Sequence, residues 1–203
     1  MTHTGVAELD VASAITRYLP LPSLEPYHEE LMARNKLVNL VSRETSRADF
    51  DRLVAESLYP LQFLSKTRFR NYLDIGSGGG LPAIPILMAK LVTGQSVLCE
   101  RTLKKARMLV EIVSALSLNA KVESHTVEEL KLDIKFDLIT LRAVTLTPQL
   151  ATKIVPFMSP DGCFVYYSSQ PATFPLALFR SESHQYVVKG QAVTKHFTVF
   201  RIS

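Results

Sequence analysis

The sequence predicts an α/β protein: a mostly parallel sheet closed by an antiparallel C-terminal hairpin, with a helical extension in front of it. Three observations carry this. Residues 72–85 read YLDIGSGGGLPAIP, an apolar run that ends in a glycine-dense turn and passes straight into a helical pattern. That order of strand, tight turn and helix is what a nucleotide-binding α/β unit needs. From residue 71 onward, strand-like and helix-like segments alternate. Near the C-terminus the alternation stops, and two β-rich runs at 185–189 and 195–202 follow each other with only a short turn region at Gly190-Gln191 between them. Such a pair reads as an antiparallel hairpin.

Taken in order, residues 6–64 read as mostly helical. Val6, Leu9, Ile15 and Leu19 give a first amphipathic pattern, which Pro20 and Pro22 cut. A second helix is expected over 24–38, with Tyr27, Leu31 and Val38 among its apolar positions, and Asn39-Leu40-Val41-Ser42 breaks it. A third starts near Ser46 or Asp49, carries Phe50, Leu53, Val54, Leu58 and Leu61, and kinks or ends at Pro60. Strands follow at about 71–75, 95–99, 119–123, 136–141 and 161–169. Helices are expected at about 82–91, 103–116, 127–131 and 145–155. Runs such as Asp137-Leu138-Ile139-Thr140-Leu141 suit parallel strands buried on both faces. The natural division is an N-terminal helical extension and linker over 1–70 and an α/β domain over 71–203.

Composition bounds the function. A chain of 203 residues holds one substantial core plus a small appendage, and 47% apolar with 21% charged residues excludes a disordered chain. The net charge of +4 tilts weakly toward anionic partners. Arg34, Lys36, Arg43, Arg47, Arg52, Lys66, Arg68 and Arg70 gather in the N-terminal part, either as a solvated surface or as a basic lip beside the ligand site. Cys99 and Cys163 sit in apolar runs and read as buried thiols. The N-terminus lacks the apolar core of an export signal, and the longest apolar stretch, 81–92, is too short to span a membrane and holds two prolines and Lys90. A cytoplasmic location is expected, with no membrane partner. The five histidines are scattered, so no metal site is expected.

The ligand is read from two features. Gly76, Gly78 and Gly80 form a GxGxG spacing with no Lys-Ser or Lys-Thr after it, which argues against a triphosphate-cradling loop. Glu100 ends the second strand about twenty residues on, where an acid can accept both hydroxyls of a ribose. A parallel sheet closed by an antiparallel hairpin is the plan of class I methyltransferases, whereas a dinucleotide-binding domain wants a sixth parallel strand and its crossover helix. The cofactor expected is therefore S-adenosylmethionine, and nicotinamide redox chemistry ranks last.

The residues resemble one family: the small-subunit ribosomal RNA methyltransferases that modify guanine N7, also called glucose-inhibited division protein B. LDIGSGGGLPAIP at 73–85 looks like its signature. Asn35 with Asn39-Leu40, Glu56-Ser57-Leu58, Glu100 with Lys104 and Lys105, Val127-Glu128-Glu129 and Arg142-Ala143 each match a shorter family pattern, and the resemblance spans roughly 27–169. It implies cofactor contacts from Asp74, Gly76, Gly78, Gly80, Glu100, Thr126, Val127 and Glu128. It also implies substrate or RNA contacts from Asn39, Lys104, Lys105 and Arg142, with Arg142 the candidate catalytic residue, and ribosomal RNA or the small subunit as partner. His125 sits in a loop near the cofactor but has no acid at a telling spacing. Three positions depart from the family: Leu53 where it has His, Thr126 where it has Arg, and Ser168-Ser169 where it has Lys-Gly. These motivate two other readings, the same cofactor with another RNA or a small molecule as acceptor, or a non-catalytic RNA-binding or ribosome-assembly protein.

Overall fold

A computed structural model describes residues 6–176 and 179–202. Residues 1–5, where the N-terminus was read for an export signal, lie outside this range. One eight-stranded sheet organises the chain. Its strands are β1 (Ala7–Leu9), β2 (Tyr72–Ile75), β3 (Ser96–Cys99), β4 (Lys121–Glu123), β5 (Phe136–Arg142), β6 (Met158–Ser168), β7 (Phe179–Val188) and β8 (Thr194–Ile202). The helices are α1 (Val11–Thr16), α2 (Glu25–Asn35), α3 (Arg47–Leu58), α4 (Ala83–Met88), α5 (Leu103–Ala115) and α6 (Pro148–Ile154). The expected helix at 127–131 is a single 3₁₀ turn over Val127–Glu129.

The strand order is β1-β7-β8-β6-β5-β2-β3-β4. The block from β6 to β4 is parallel, and β8 runs antiparallel to both β6 and β7. The order reverses between β2 and β5, which opens a crevice at the carboxyl ends of those strands. Alternation along each strand assigns side chains to the two faces. Tyr72, Leu98, Leu138, Val165, Phe197 and Val199 face the cluster that also holds α1, α2, α3, α4 and α5. Leu73, Val97, Ile139, Leu141, Phe164 and Phe200 face the cluster under α6.

The first strand corrects the sequence reading. Residues 7–9 do not open a helix; they pair in parallel with Tyr186, Val187 and Val188 at the sheet edge, and Asp10 then caps α1 by accepting from the Ser13 amide at 2.9 Å. Non-local pairing with β7 overrides the local helical periodicity at Val6 and Leu9, because only Leu9 of the strand is buried. The described residues of the N-terminal segment pack on the sheet. Ile15, Leu24, Tyr27, Leu31, Phe50, Val54 and Leu58 are all fully buried in the same cluster as the sheet. At about 1.5–3 kcal/mol for each large side chain, releasing this segment would cost on the order of 10 kcal/mol, comparable with a domain's whole net stability.

Asn35 fixes the loop between α2 and α3. Its Oδ1 accepts from the Leu40 and Val41 amides at 2.8 and 3.0 Å, and its Nδ2 donates to the Ser42 carbonyl at 3.2 Å. The Asn35→Ala variant should lose roughly 1–3 kcal/mol of stability, because buried amides lose their acceptor. Urea unfolding followed by circular dichroism will measure this.

Candidate active site

The crevice at the strand ends is a cleft of about 1000 Å³. Its floor is the glycine loop after β2. Gly76 and Ser77 both donate their amides to the Cys99 carbonyl at 2.9 Å, and Gly78 donates to Glu100 Oε2 at 3.0 Å. The loop's first amides are therefore spent on the end of β3, so it is not a phosphate cradle. From the other side, the Tyr27 hydroxyl of α2 donates to the Gly79 carbonyl at 2.9 Å. Tyr27 was read from sequence only as an apolar helix position; its hydroxyl is a clamp on the loop.

Glu100 is buried, and each of its oxygens accepts one backbone amide: Gly78 at 3.0 Å and Thr102 at 2.8 Å. Each oxygen keeps lone-pair capacity for a further hydroxyl donor at the cleft wall. Thr126, Val127 and Glu128 line the same end of the cleft. Thr126 donates both its amide and its hydroxyl to Glu129 Oε2 at 2.9 Å, which fixes the 3₁₀ turn.

Asp74 and Gly80 lie elsewhere than expected. Gly80 has its backbone at φ +91° and faces inward, where an added Cβ would meet Ile84 Cγ1 at 2.3 Å. It is a packing glycine, and Gly79 joins Gly76 and Gly78 at the cleft instead. Asp74 is fully buried beneath the loop rather than lining the cleft. Thr140 donates to its Oδ1 at 2.5 Å, which leaves the Tyr72 hydroxyl as donor to Thr140 at 2.7 Å. Asp74 Oδ2 has no hydrogen-bond partner among the described residues. Burial pushes this carboxyl up to about 6, opposed by the bonds from Thr140 and Ser77.

Arg142 lines the cleft, but its charge is directed into α3. It shares the face of Tyr72 and Thr140, so its Nη1 reaches the Leu53 carbonyl and Ser57 Oγ at 3.2 and 3.1 Å, and its Nη2 reaches Glu56 at 2.7 Å. The paired residues Glu56-Ser57 and Arg142 thus form one structural unit. Ala143 follows in the left-handed region at φ +57°, and Val144 lies against Gly76. Lys105 lines the cleft, whereas Lys104 and Asn39 are exposed outside it; Asn39 accepts from Arg43 at 2.8 Å.

The basic N-terminal residues do not form one lip. Arg52 lines the cleft, Arg47 pairs with Glu25 and Asp51, and Arg34 pairs with Glu30 and Glu111. Lys66, Arg68 and Arg70 precede β2 and sit at the opposite end of the parallel strands, where the Arg70 amide donates to Asp137. His125 lines the cleft with its Nδ1 3.6 Å from Glu123. Leu40, from the Asn39-Leu40 pair, lines it too, and so do Val41, Ser42, Glu44, Thr45 and Asp49, a contribution that sequence reading missed because no motif marks those five. Both thiols are buried and free, and burial pushes Cys163 up to about 11 and Cys99 further.

The chain matches the rRNA small subunit methyltransferase G family, GidB, over residues 21–197. It belongs to that family. The ribosomal RNA small subunit methyltransferase G of Helicobacter acinonychis is 33% identical over 150 residues, covering 73% of this chain and 82% of that one. The enzyme of the same name from Sorangium cellulosum is 36% identical over 162 residues, 77% of this chain and 67% of that one. An O-methyltransferase from Bacillus cereus, solved in complex with SAH, has the same fold with a TM-score of 0.65 at 17% identity, covering 88% and 91% of the two chains. The protein is an S-adenosylmethionine-dependent methyltransferase of class I fold. Its cleft fits that cofactor: a half-satisfied Glu100 and a loop without an anion cradle suit a ribose and a cationic sulfonium better than a pyrophosphate.

In the ligand-free protein the Asp74 charge opposes folding. Its folded value lies above the unfolded one, so the stability it contributes is present below the unfolded value near 4 and lost as pH rises through about 6. The Asp74→Asn variant should gain stability over wild type as pH rises from 4 to 7 and hold that gain above. Thermal unfolding across this range will show a growing Tm difference.

Proposed function

We propose that this chain transfers the methyl group of S-adenosylmethionine to N7 of a guanine in small-subunit ribosomal RNA. Family membership together with a donor cleft whose acid and glycine loop are intact supports this reading. When bound, the cofactor supplies a methyl carbon already activated by its sulfonium. Guanine N7 carries a free lone pair on the major-groove edge, so no residue need remove a proton. The chain's task is orientation. Glu100 accepts the ribose hydroxyls, backbone groups of 126–128 meet the adenine, and Gly76 and Gly78 let the remainder lie against the loop. Asp74 acts from beneath the loop, through its field, toward the cationic donor.

On the acceptor side, the N-terminal segment up to residue 70 forms a wall of the cleft through loop 40–45, Asp49, Arg52 and Leu53; Arg142 is bonded to that wall at the Leu53 carbonyl, and Lys105 lines the cleft as well. Arg142 is the substrate contact of this wall, and Asn39 and Lys104 extend the contact surface outside the cleft, where a target as large as RNA reaches them. The partner is the ribosomal RNA or the small subunit in the cytoplasm. Among the described residues no helix is long and apolar enough to cross a membrane. A different acceptor for the same donor is favoured by one observation: Leu53 and Thr126, two of the positions that depart from the family, both line the cleft.

Calorimetric titration with S-adenosylhomocysteine is the first test. Glu100→Ala should weaken binding by about 1.5–3 kcal/mol, the worth of hydrogen bonds to a charged group. Methyl transfer to small subunits from cells lacking the activity, read at nucleotide resolution, should place the label on one guanine N7; label on another atom or none would overturn the acceptor.

A further inference from the structure

Arg68 and Arg70 stand apart from the cleft, at the amino ends of the parallel strands. Strand β2 separates Arg70 from Gly76, about 20 Å of extended chain. The segment is held from behind. Phe69 is buried, its amide donates to the Leu91 carbonyl at 2.8 Å, and its carbonyl accepts from the Thr93 amide at 2.9 Å, which makes a parallel bridge with Val92. The Arg70 and Asn71 amides donate to Asp137 Oδ2 at 2.9 and 3.0 Å. Arg68 and Arg70 flank the buried ring, so both turn outward, and both are exposed. At that spacing their Cα atoms lie about 6–7 Å apart, close to the step between successive phosphates of one nucleic-acid strand. An added Cβ on Gly94 would meet the Arg70 carbonyl at 2.5 Å and Arg70 Cγ at 3.2 Å, so this glycine makes room for the arginine stem.

Lys90 joins them. It follows the C-terminus of α4, is exposed beside Leu91, and holds φ +54°, in the left-handed region where glycine is the ordinary residue. A lysine there keeps a charge at a backbone cost. Among the described residues no ion pair reaches Arg68, Arg70 or Lys90. The acids at this end do not cancel them. Asp137 is spent on two amides and, at 3.2 Å, on the Ser159 hydroxyl. Glu182 pairs with Arg201, and Glu111 on α5 pairs with Arg34. Asp133 and Asp161 are exposed, and so is Lys135. With Lys66 and Lys135 counted, the cations outnumber Asp133, Asp137 and Asp161 even when each acid is taken in full.

We propose that Arg68, Arg70 and Lys90 form a second contact surface for the phosphate backbone of the RNA substrate, engaging a segment remote from the target nucleotide. A short strand seated in the cleft ends before this surface, whereas a folded RNA or an assembled subunit extends to it. The surface therefore selects a large folded target over a short single strand. This rests on the RNA-methyltransferase reading.

Fluorescence anisotropy of the labelled full chain, with saturating S-adenosylhomocysteine, measures binding across a range of salt. The probes are small subunits from cells lacking the activity, protein-free small-subunit RNA, and a short single-stranded RNA holding one guanine. The variants are Arg68→Gln with Arg70→Gln, made together, and Lys90→Gly. The double variant should weaken binding to subunits about tenfold at low salt and flatten the slope of log K against log salt by about 1.4–1.8, the signature of two lost phosphate contacts. Lys90→Gly should flatten it by about 0.7–0.9 while its Tm holds or rises, because glycine suits the left-handed position. Binding of the short RNA and affinity for S-adenosylhomocysteine should not change. An unchanged slope on subunits in either variant overturns the surface. So does an equal loss on the short RNA, which would make the effect one of overall charge. A loss on subunits that is absent on protein-free RNA overturns the phosphate contact and gives the surface to a ribosomal protein. Methyl transfer by the wild type is read separately: flattened slopes in the variants with no transfer to subunits would sink the activity and leave the surface standing.

Discussion

The glycine loop is held from both sides, and most of the site depends on that. The end of β3 takes its amides through the Cys99 carbonyl and the Glu100 carboxylate, while Tyr27 takes the Gly79 carbonyl from above. Each bond alone is worth about 1 kcal/mol net. Together they fix the loop on which a donor lies and aim Glu100 along the cleft. The same residue therefore builds the loop and faces the cleft. The acid after β3 thus fixes local backbone on both sides of itself, at Gly78 and at Thr102.

The second organising constraint is parity along the strands. Tyr72, Asp74, Thr140, Arg142, Tyr167 and Lys195 all emerge on the face covered by the N-terminal helices. That face carries a polar chain through an otherwise apolar core: Tyr72 to Thr140 to Asp74 on one line, and Tyr167, Ser57, Glu56, Arg142 and Lys195 on another. The Tyr167 hydroxyl donates to the Ser57 carbonyl at 2.7 Å, and the Arg142 guanidinium lies 5.7 Å from the Tyr167 ring centroid. The opposite face, under α6, is nearly all aliphatic and aromatic. The sheet thus has a working face and a packing face, and the helical segment covers the working one.

This arrangement also explains how the N-terminal segment takes part. It supplies a clamp through Tyr27, a loop pinned by Asn35, and cleft residues from α3. Its charges divide accordingly: some close ion pairs between helices, some sit at the far end of the strands, and Arg52 remains at the cleft.

Sequence alone determined the order of elements from 71 onward, the antiparallel close and the pairing of a glycine loop with Glu100 at the strand ends. Those are local signals, carried by strand–turn–helix order, periodicity and spacing of about twenty residues. It also singled out Thr126, Val127 and Glu128, through resemblance, and these residues line the cleft. Tertiary structure decided the rest, for reasons no local window contains. Pairing with β7, distant in sequence, made 7–9 a strand. Contact with Ile84 made Gly80 a packing residue while its neighbours two and four positions earlier face the cleft. Full burial beneath the glycine loop left one Asp74 oxygen without a partner among the described residues. And the meeting of Arg52, Arg142 and Lys195 on Glu56 includes a pair, Lys195 and Glu56, that lies 139 residues apart, so only the folded sheet, with its alternating faces, brings that charge together.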